Sequence, residues 1–325
     1  MMRVILWVVL ALGVLWGGYW FVGSHYVEQA AQDWFDRAGE QGITATQDGI
    51  SVAGFPNRFD LTVTKPHLAD PATGWGWDAP FAQVLAMTWK PWHVIAALPN
   101  SQQITAPDQK IALQSSKMQA SVRMVPAADL PLAEVVIEGH DLQATSDQGW
   151  QVAATSLVAA LASNGTDQHL GLDITDLAPD AAVTALVPKL GATISILHLD
   201  ATLSLTAPLD RHLAETQPKV TAINLSAFQL NWGDLTVGAT GKITARTDGL
   251  AEGKVDFRFK NWRSIPPLLV AMGLVEPGLS NSITGGLEAL AKSGPDPETL
   301  DLALTFADGR MTLGPLPLGP SPRIN

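Results

Sequence analysis

The spacing of apolar residues along this chain changes character once, near residue 43. Before that point the pattern is helical. From Val4 to Gly23 the run VILWVVLALGVLWGGYWFVG carries no charged residue. About twenty residues at a helical rise of ~1.5 Å reach ~30 Å, the thickness of a bilayer's hydrocarbon core. A helix that stays apolar on every face for five turns is predicted to span a membrane rather than to fill a soluble core. Trp7, Trp16, Tyr19 and Trp20 lie towards the ends of the run, where amphipathic rings favour the interface. Residues 25–40 then read as a short amphipathic helix, with Tyr26, Ala30, Trp34 and Phe35 on one side and Glu28, Asp33, Asp36 and Arg37 on the other, ended by Gly39 and Gly42. The expected layout is a cytoplasmic stub and transmembrane anchor over 1–24, an amphipathic connector over 25–42 and a β-rich domain over 43–325.

Beyond residue 43 the period is two. Phe59, Leu61 and Val63 alternate with Asp60, Thr62 and Thr64, and Met118, Ala120, Val122 and Met124 with Gln119, Ser121 and Arg123. Leu170, Leu172 and Ile174 share a face, as do Leu199, Ala201, Leu203 and Leu205. About a dozen or more such runs, bounded by Gly, Pro, Asn or Asp, predict antiparallel sheets with one apolar and one polar face. Segments Gly241-Lys-Ile-Thr, Gly253-Lys-Val-Asp and Gly309-Arg-Met-Thr are each read as opening a strand. Two helical interruptions are expected. One lies at 181–188, and the other at 265–293, broken at Pro277 and Gly278. The pair either plugs one end of an open sheet or packs as ordinary core. A soft boundary is expected near 176–193, where Pro179, Pro188 and Gly191 interrupt the strand pattern. The fold class is therefore mainly β, a long curled antiparallel sheet, open trough or sandwich-like, with an N-terminal transmembrane helix and a few short helices.

Charge gives the anchor a direction. Arg3 precedes the span, and the first charges after it are Glu28, Asp33 and Asp36, so the positive-inside rule places the N-terminus in the cytoplasm and the body outside; the expected location is an inner membrane, with the body in the periplasm. A cleaved signal peptide is the rival reading, with Val22-Gly23-Ser24 as a poor cleavage site. Gly13 and Gly17 form a GxxxG pair of the kind that packs two helices together. The chain of 325 residues contains no cysteine, which excludes disulfides, thiolate metal sites and cysteine nucleophiles. Its net charge of −11 argues against a nucleic-acid partner and against attraction to anionic lipid by bulk charge.

Candidate chemistry is sparse. The densest unusual stretch, 54–100, holds Gly54-Phe55-Pro56-Asn57-Arg58-Phe59, then Trp75, Trp77, Trp89 and Trp92, with Lys90-Pro91-Trp92-His93 inside it. It reads as a packed sheet corner, or as a patch facing lipid or a protein partner. A second cluster, Asn231-Trp232-Gly233, and Asn261-Trp262 read as strand ends where Asn takes the turn and Trp caps the core. His67 and His93 stand apart with no acidic cluster at ligand spacing, and no nucleophile elbow or phosphate loop occurs, so neither an enzyme, a metal site nor a cofactor is expected.

At these residues the chain resembles an uncharacterised bacterial family, that of the domain of unknown function 2125. The likeness rests on the anchor, on Gly54, Phe55, Pro56, Arg58 and Phe59, on Lys90, Pro91, Trp92 and His93 with Leu98-Pro99-Asn100, on Asn231, Trp232 and Gly233, and on the closing Gly314-Pro315-Leu316-Pro317-Leu318-Gly319. The resemblance implies an envelope protein with a single anchor and implies no activity. In pattern the chain is also similar to AsmA-type and lipopolysaccharide-transport proteins, whose open β troughs shield acyl chains. That likeness implies an apolar track with Phe59, Leu61 and Val63 near its membrane end. The expected partners are the inner membrane through residues 4–23 and either a lipid held along the groove or another envelope protein bound at a sheet edge or the Trp-rich corner.

Overall fold

The structure is a computed structural model and describes residues 1–271, 276, 278, 280–314 and 316–324. The chain is mainly β, with antiparallel pairing and a sheet that does not close on itself. At its start a single helix, α1 (Met2–Arg37), runs through both the anchor and the connector, and a 3-10 turn at Ala38–Gln41 follows it, ended by Gly42 at φ 78°. No proline interrupts residues 4–37, and Gly23, where the two predicted helices would part, costs a helix only about 1 kcal/mol, too little to break it. From Val4 to Leu15 every large apolar side chain is at least half exposed. Such a surface, uncovered by protein on any side, is compatible with a single-pass membrane anchor.

The chain divides into two compact units, Met1–Pro126 with Gln143–Gly149, and Ala127–Leu142 with Trp150–Asn325. Residues 176–193 lie inside the second.

In the first unit, ten strands form two ladders. The strands are β1 (Thr44–Thr46), β2 (Gly49–Ala53), β3 (Arg58–Thr64), β4 (His67–Asp70), β5 (Trp75–Asp78), β6 (Phe81–Met87), β7 (Lys90–Leu98), β8 (Ser101–Ala106), β9 (Gln109–Gln114) and β10 (Lys117–Met124). One ladder runs β2-β3-β6-β7-β10. The other runs β1-β4-β5-β8-β9 and ends on residues Gln143–Ser146 of β11 (Leu132–Ser146). In the first ladder the register sets Leu61 beside Val52 and Val84, and Phe59 beside Ala86, which faces Val94. The apolar alternation of Phe59, Leu61 and Val63 thus continues across neighbouring strands.

The second unit is a meander. Its strands β12 (Gln151–Asn164), β13 (Asp167–Leu177), β14 (Ile194–Leu205), β15 (Val220–Trp232), β16 (Leu235–Ala245), β17 (Ala251–Lys260), β18 (Thr299–Ala307), β19 (Arg310–Leu313) and β20 (Leu316–Pro320) each pair with the next. The turns have the chemistry tight hairpins require. Gly165 (φ 62°) and Gly233 (φ 53°) lead two-residue turns, and Asp308-Gly309 are both left-handed. The short helices α2 (Ala181–Leu186), α3 (Leu213–Thr216), α4 (Ile265–Ala271) and α5 (Ser280–Ser293) interrupt it. Asp180 caps α2 by accepting from the Ala182 amide. The predicted break at Pro277, and Pro315 in the closing run, lie outside the described residues. Two of the three Gly-basic segments do not open strands: Gly241 lies in mid-strand opposite Val255, and Gly253 is the third residue of β17.

Register defines the apolar face of this sheet. Leu161, Leu170, Ala201, Leu225, Gly241, Val255 and Leu304 form one row across the strands. Ala159, Leu172, Leu199, Phe228, Ala239, Phe257 and Leu302 form the next, and Leu157, Ile174, Leu197, Leu230, Val237, Phe259 and Leu300 a third. Among the described residues, two clusters of fully buried side chains gather on this unit. In one, Val187 and Leu190 pack with Ile194, Trp232 and Leu235, joined by Ile265 and Leu268 of α4. In the other, Trp262 packs with Leu287 and Ala291 of α5 and with Leu300 and Leu302. Away from these helices the larger side chains of the face, including Leu161, Leu170, Leu172, Leu199 and Leu304, are only half-buried.

Candidate functional site

The glycine-phenylalanine-proline motif docks on the anchor helix. Gly54 has φ 99°, and a Cβ there would meet the Arg58 carbonyl oxygen at 2.8 Å, so the turn that reverses the chain into β3 requires glycine. The Phe55-Pro56 peptide is cis. Both motif phenylalanines lie against α1. Phe55 is edge-on to Trp20 at 5.4 Å between ring centroids and lies 5.6 Å from Phe21. Phe59 stacks on Trp20 at 6.3 Å and sits under Gly23, where an added Cβ would fall 2.5 Å from the ring. The Trp20 indole donates to the Arg58 carbonyl oxygen at 2.7 Å, and the Tyr19 hydroxyl donates to that of Thr88 at 2.9 Å. Arg58 itself reaches Asp60 at 2.6 Å.

The second motif segment joins the same corner. Thr88, in the turn between β6 and β7, donates through its amide and hydroxyl to the Asn57 carbonyl oxygen. Lys90 begins β7, and exposed Pro91 lies at a register break between Ala86 and Met87, where its missing N–H costs no ladder bond. Trp92 is half-buried, and His93 lies 3.0 Å from the Ser121 hydroxyl across the ladder. Phe55, Arg58 and Phe59 thus converge on residues 17–23 of α1, whereas His93 pairs across the ladder with Ser121.

Asn231, Trp232 and Gly233 lie in the second unit. Trp232 is 3% exposed and donates to the Gly191 carbonyl oxygen at 3.1 Å. A Cβ on Gly233 would strike the Leu190 backbone at 2.6 Å. Here Gly233 rather than Asn231 takes the turn, because Asn231 remains paired in β15. At Asn261 the expected geometry does occur: Asn261 is left-handed at φ 54°, and Trp262, fully buried, donates to Pro297. Trp232 and Trp262 each sit in one of the two buried clusters, which α4 and α5 cover as a helical cap.

The groove residues fare unequally. Phe59 is covered by α1, so it forms the floor of a helix seat and not of an open track, and Leu61 is half-buried beside it. The long apolar face is in the second unit, and alternation reveals only its individual strands, not their order. A depression of about 630 Å³ lies over β15–β18, with Phe228, Ala239, Phe257 and Leu302 and their chain neighbours Gln229, Asp256, Arg258 and Asp301 among its lining residues. Arg258 holds Asp301 through two hydrogen bonds, at 2.8 and 3.0 Å, which keeps the Asp301 carboxyl below the usual carboxylate range.

Titratable pairs also occur at the surface. His67 contacts Asp78 at 2.6 Å and His198 contacts Asp173 at 2.6 Å, each pair bridging neighbouring strands. Their side chains are substantially exposed, between 35% and 59%, so they read as cross-strand pairs rather than as the heart of an enclosed site. Among the described residues no three His, Asp or Glu side chains gather closely enough to hold a metal ion.

Fold and site together define a β-rich protein whose first unit packs on an N-terminal apolar helix. It belongs to the family described as an uncharacterized protein conserved in bacteria (DUF2125), whose model matches residues 20–322. That match begins at Trp20, the residue that holds Phe55 and Phe59. No curated protein matches the sequence.

Proposed function

We propose that this is a single-pass inner-membrane protein of the bacterial cell envelope, with its N-terminus in the cytoplasm and its body in the periplasm, and that the second unit holds or guides lipid along its apolar sheet face. The observation that carries the reading is the set of three uninterrupted apolar rows across β12–β18, whose large side chains are half-buried outside the helical cap. Seven strands at a spacing of ~4.8 Å make each row about 29 Å long. The hydrocarbon of one leaflet is ~15 Å deep, so a row exceeds the reach of one acyl chain. Each methylene moved from water onto such a surface gains about 0.8 kcal/mol, which favours lipid as the occupant.

The anchor is retained in this reading. Cleavage near Ser24 would remove Tyr19 and Trp20, which hold the Thr88 and Arg58 carbonyls. The test is mass spectrometry of lipids copurified with the full chain in detergent, against residues 1–37 fused to an unrelated soluble domain. Lipid enriched over that control, and lost in Leu172→Asp or Leu199→Asp, is the expected result. Equal lipid in both would overturn the lipid role and leave the alternative, an assembly protein that binds another envelope protein through a sheet edge.

A further inference from the structure

β1 and β2 pack on α1, whose face at Val27, Glu28, Ala31 and Phe35 is half-buried, and the contacts of the first unit continue back into the apolar span. Phe59 meets the helix at Gly23, the Arg58 and Thr88 carbonyls meet it at Trp20 and Tyr19, and the Phe55 ring lies against Gly17. From Gly23 back to Gly17 a helix travels about 9 Å. If the body stayed wholly outside the bilayer, only residues 4–16 would remain to cross it, about 20 Å of helix against a hydrocarbon core of ~30 Å. The shortfall disappears if part of the body enters the membrane with the helix.

We infer that the two turns carrying Phe55-Pro56 and Met87-Trp89 insert into the headgroup and upper acyl region of the bilayer beside α1, so that the ligand of this surface is the lipid bilayer itself. The inference rests on the proposed anchor and adds a second point of attachment to it. Phe55, Met87 and Trp89 are 56%, 42% and 54% exposed; Phe55 lies against Phe21 of the helix, and Met87 and Trp89 flank Thr88, whose carbonyl oxygen accepts from Tyr19. They make the apolar surface of α1 continuous with the body.

The backbone of these turns is also prepared for a medium without water. The Asn57 and Arg58 amides donate to the Gly54 carbonyl oxygen, the Thr88 amide donates to that of Asn57, and Pro56 has no N–H to satisfy. The Arg58 and Thr88 carbonyls accept from Trp20 and Tyr19. Unpaired backbone groups are costly in hydrocarbon, and these five bonds lower that cost for both turns. Behind the tips, Arg58 and Lys90 start β3 and β7, at the level where lipid phosphates lie. With a net charge of −11 the chain gains nothing from bulk attraction to anionic lipid, so apolar insertion supplies the hold.

The absence of cysteine makes single-site labelling clean. The full chain is reconstituted into vesicles of phosphatidylethanolamine and phosphatidylglycerol, with an environment-sensitive fluorophore at Met87→Cys, Trp89→Cys, Val9→Cys or Asn100→Cys. Asn100 follows β7, roughly 30 Å of strand away from the tip. Phospholipids brominated near the headgroup end of the chain are expected to quench positions 87 and 89 severalfold more than position 100, with position 9 quenched by deeper bromines. Quenching at 9 with none at 87 or 89 overturns the insertion and leaves the anchor standing. No quenching at 9 overturns the anchor reading itself.

Discussion

The seat of Phe59 under Gly23 makes a double-mutant experiment decisive. A methyl group placed on Gly23 would fall 2.5 Å from the Phe59 ring, which is itself held by Trp20 and is 7% exposed. Overpacking of that kind costs about 1–3 kcal/mol, while alanine improves a helix over glycine by about 1 kcal/mol. Gly23→Ala alone should therefore destabilise the seat by roughly 0–2 kcal/mol. Phe59→Ala removes a buried ring and should cost about 3–5 kcal/mol. With the ring gone, the methyl at 23 enters vacated space, and Gly23→Ala becomes stabilising by about 1 kcal/mol. The two changes should thus couple by about 1–3 kcal/mol, with the double variant more stable than the sum of the singles predicts. Hydrogen exchange of the β2 and β3 amides in detergent micelles reads local opening of this corner directly. Additivity within about 0.5 kcal/mol would refute the packing of Phe59 against the helix.

The second unit offers three more tests. Trp262→Phe should lower its stability by about 1–3 kcal/mol, because the fully buried indole is replaced by a smaller ring and its hydrogen bond to Pro297 is lost, and Trp262→Ala by about 3–5 kcal/mol; urea unfolding of the full chain in micelles checks both. Gly253→Ala should weaken β16–β17 pairing, since Gly253 has φ 139° and a Cβ there would lie 2.2 Å from the Lys242 carbonyl oxygen, whereas Gly171→Ala on β13 has open space and should change stability by no more than about 0.5 kcal/mol; exchange of the β16 amides separates them. The Asp301 carboxyl, lowered by its hydrogen bonds to Arg258, contributes stability that is complete above the unfolded value of about 4 and lost as the pH falls through the lower folded value. Because both side chains are more than half exposed the effect is small, and Asp301→Asn should flatten the acid limb of the stability curve below pH ~4.

Strand existence and facing are legible in the sequence because the period of two is a local property. Leu170, Leu172 and Ile174 announce their face without reference to any neighbour. The rows across β12–β18 are not legible in the same way, since they depend on register set by turns at Gly165 and Gly233 and by the shift between Asp200 and Ala201. The continuity of α1 is hidden because Gly39 and Gly42 mark only an end, and nothing local says whether Gly23 separates two helices. Gly17 carries the same ambiguity: its spacing from Gly13 matches a helix-dimer motif, yet its neighbour in the fold is Phe55, more than thirty residues away in sequence. Alternation identifies Phe59 correctly as inward-facing, but the object it faces is α1, which the pattern within one strand cannot reveal. At Asn231-Trp232-Gly233 either Asn or Gly could take the turn on local grounds. The approach of Leu190 to within 2.6 Å of a side chain at 233 admits only glycine.

The meander of the second unit also sets an order of assembly. From β12 to β17 each strand finds its partner in the strand made just before it, across connections all shorter than the one that follows β17, so the ladder can grow in step with the emerging chain. Growth must pause after Lys260, whose partner Thr299 lies beyond α4 and α5. During that interval β17 is a bare edge with unpaired N–H and C=O groups, the form in which a sheet is most prone to recruit a strand from another molecule. The interval ends when β18 covers β17, and the hairpins through Leu313 and Leu316 then add β19 and β20 outside it. A chain truncated between residues 260 and 299 would therefore be caught at its stickiest moment, with a long ladder finished and its closing strands missing.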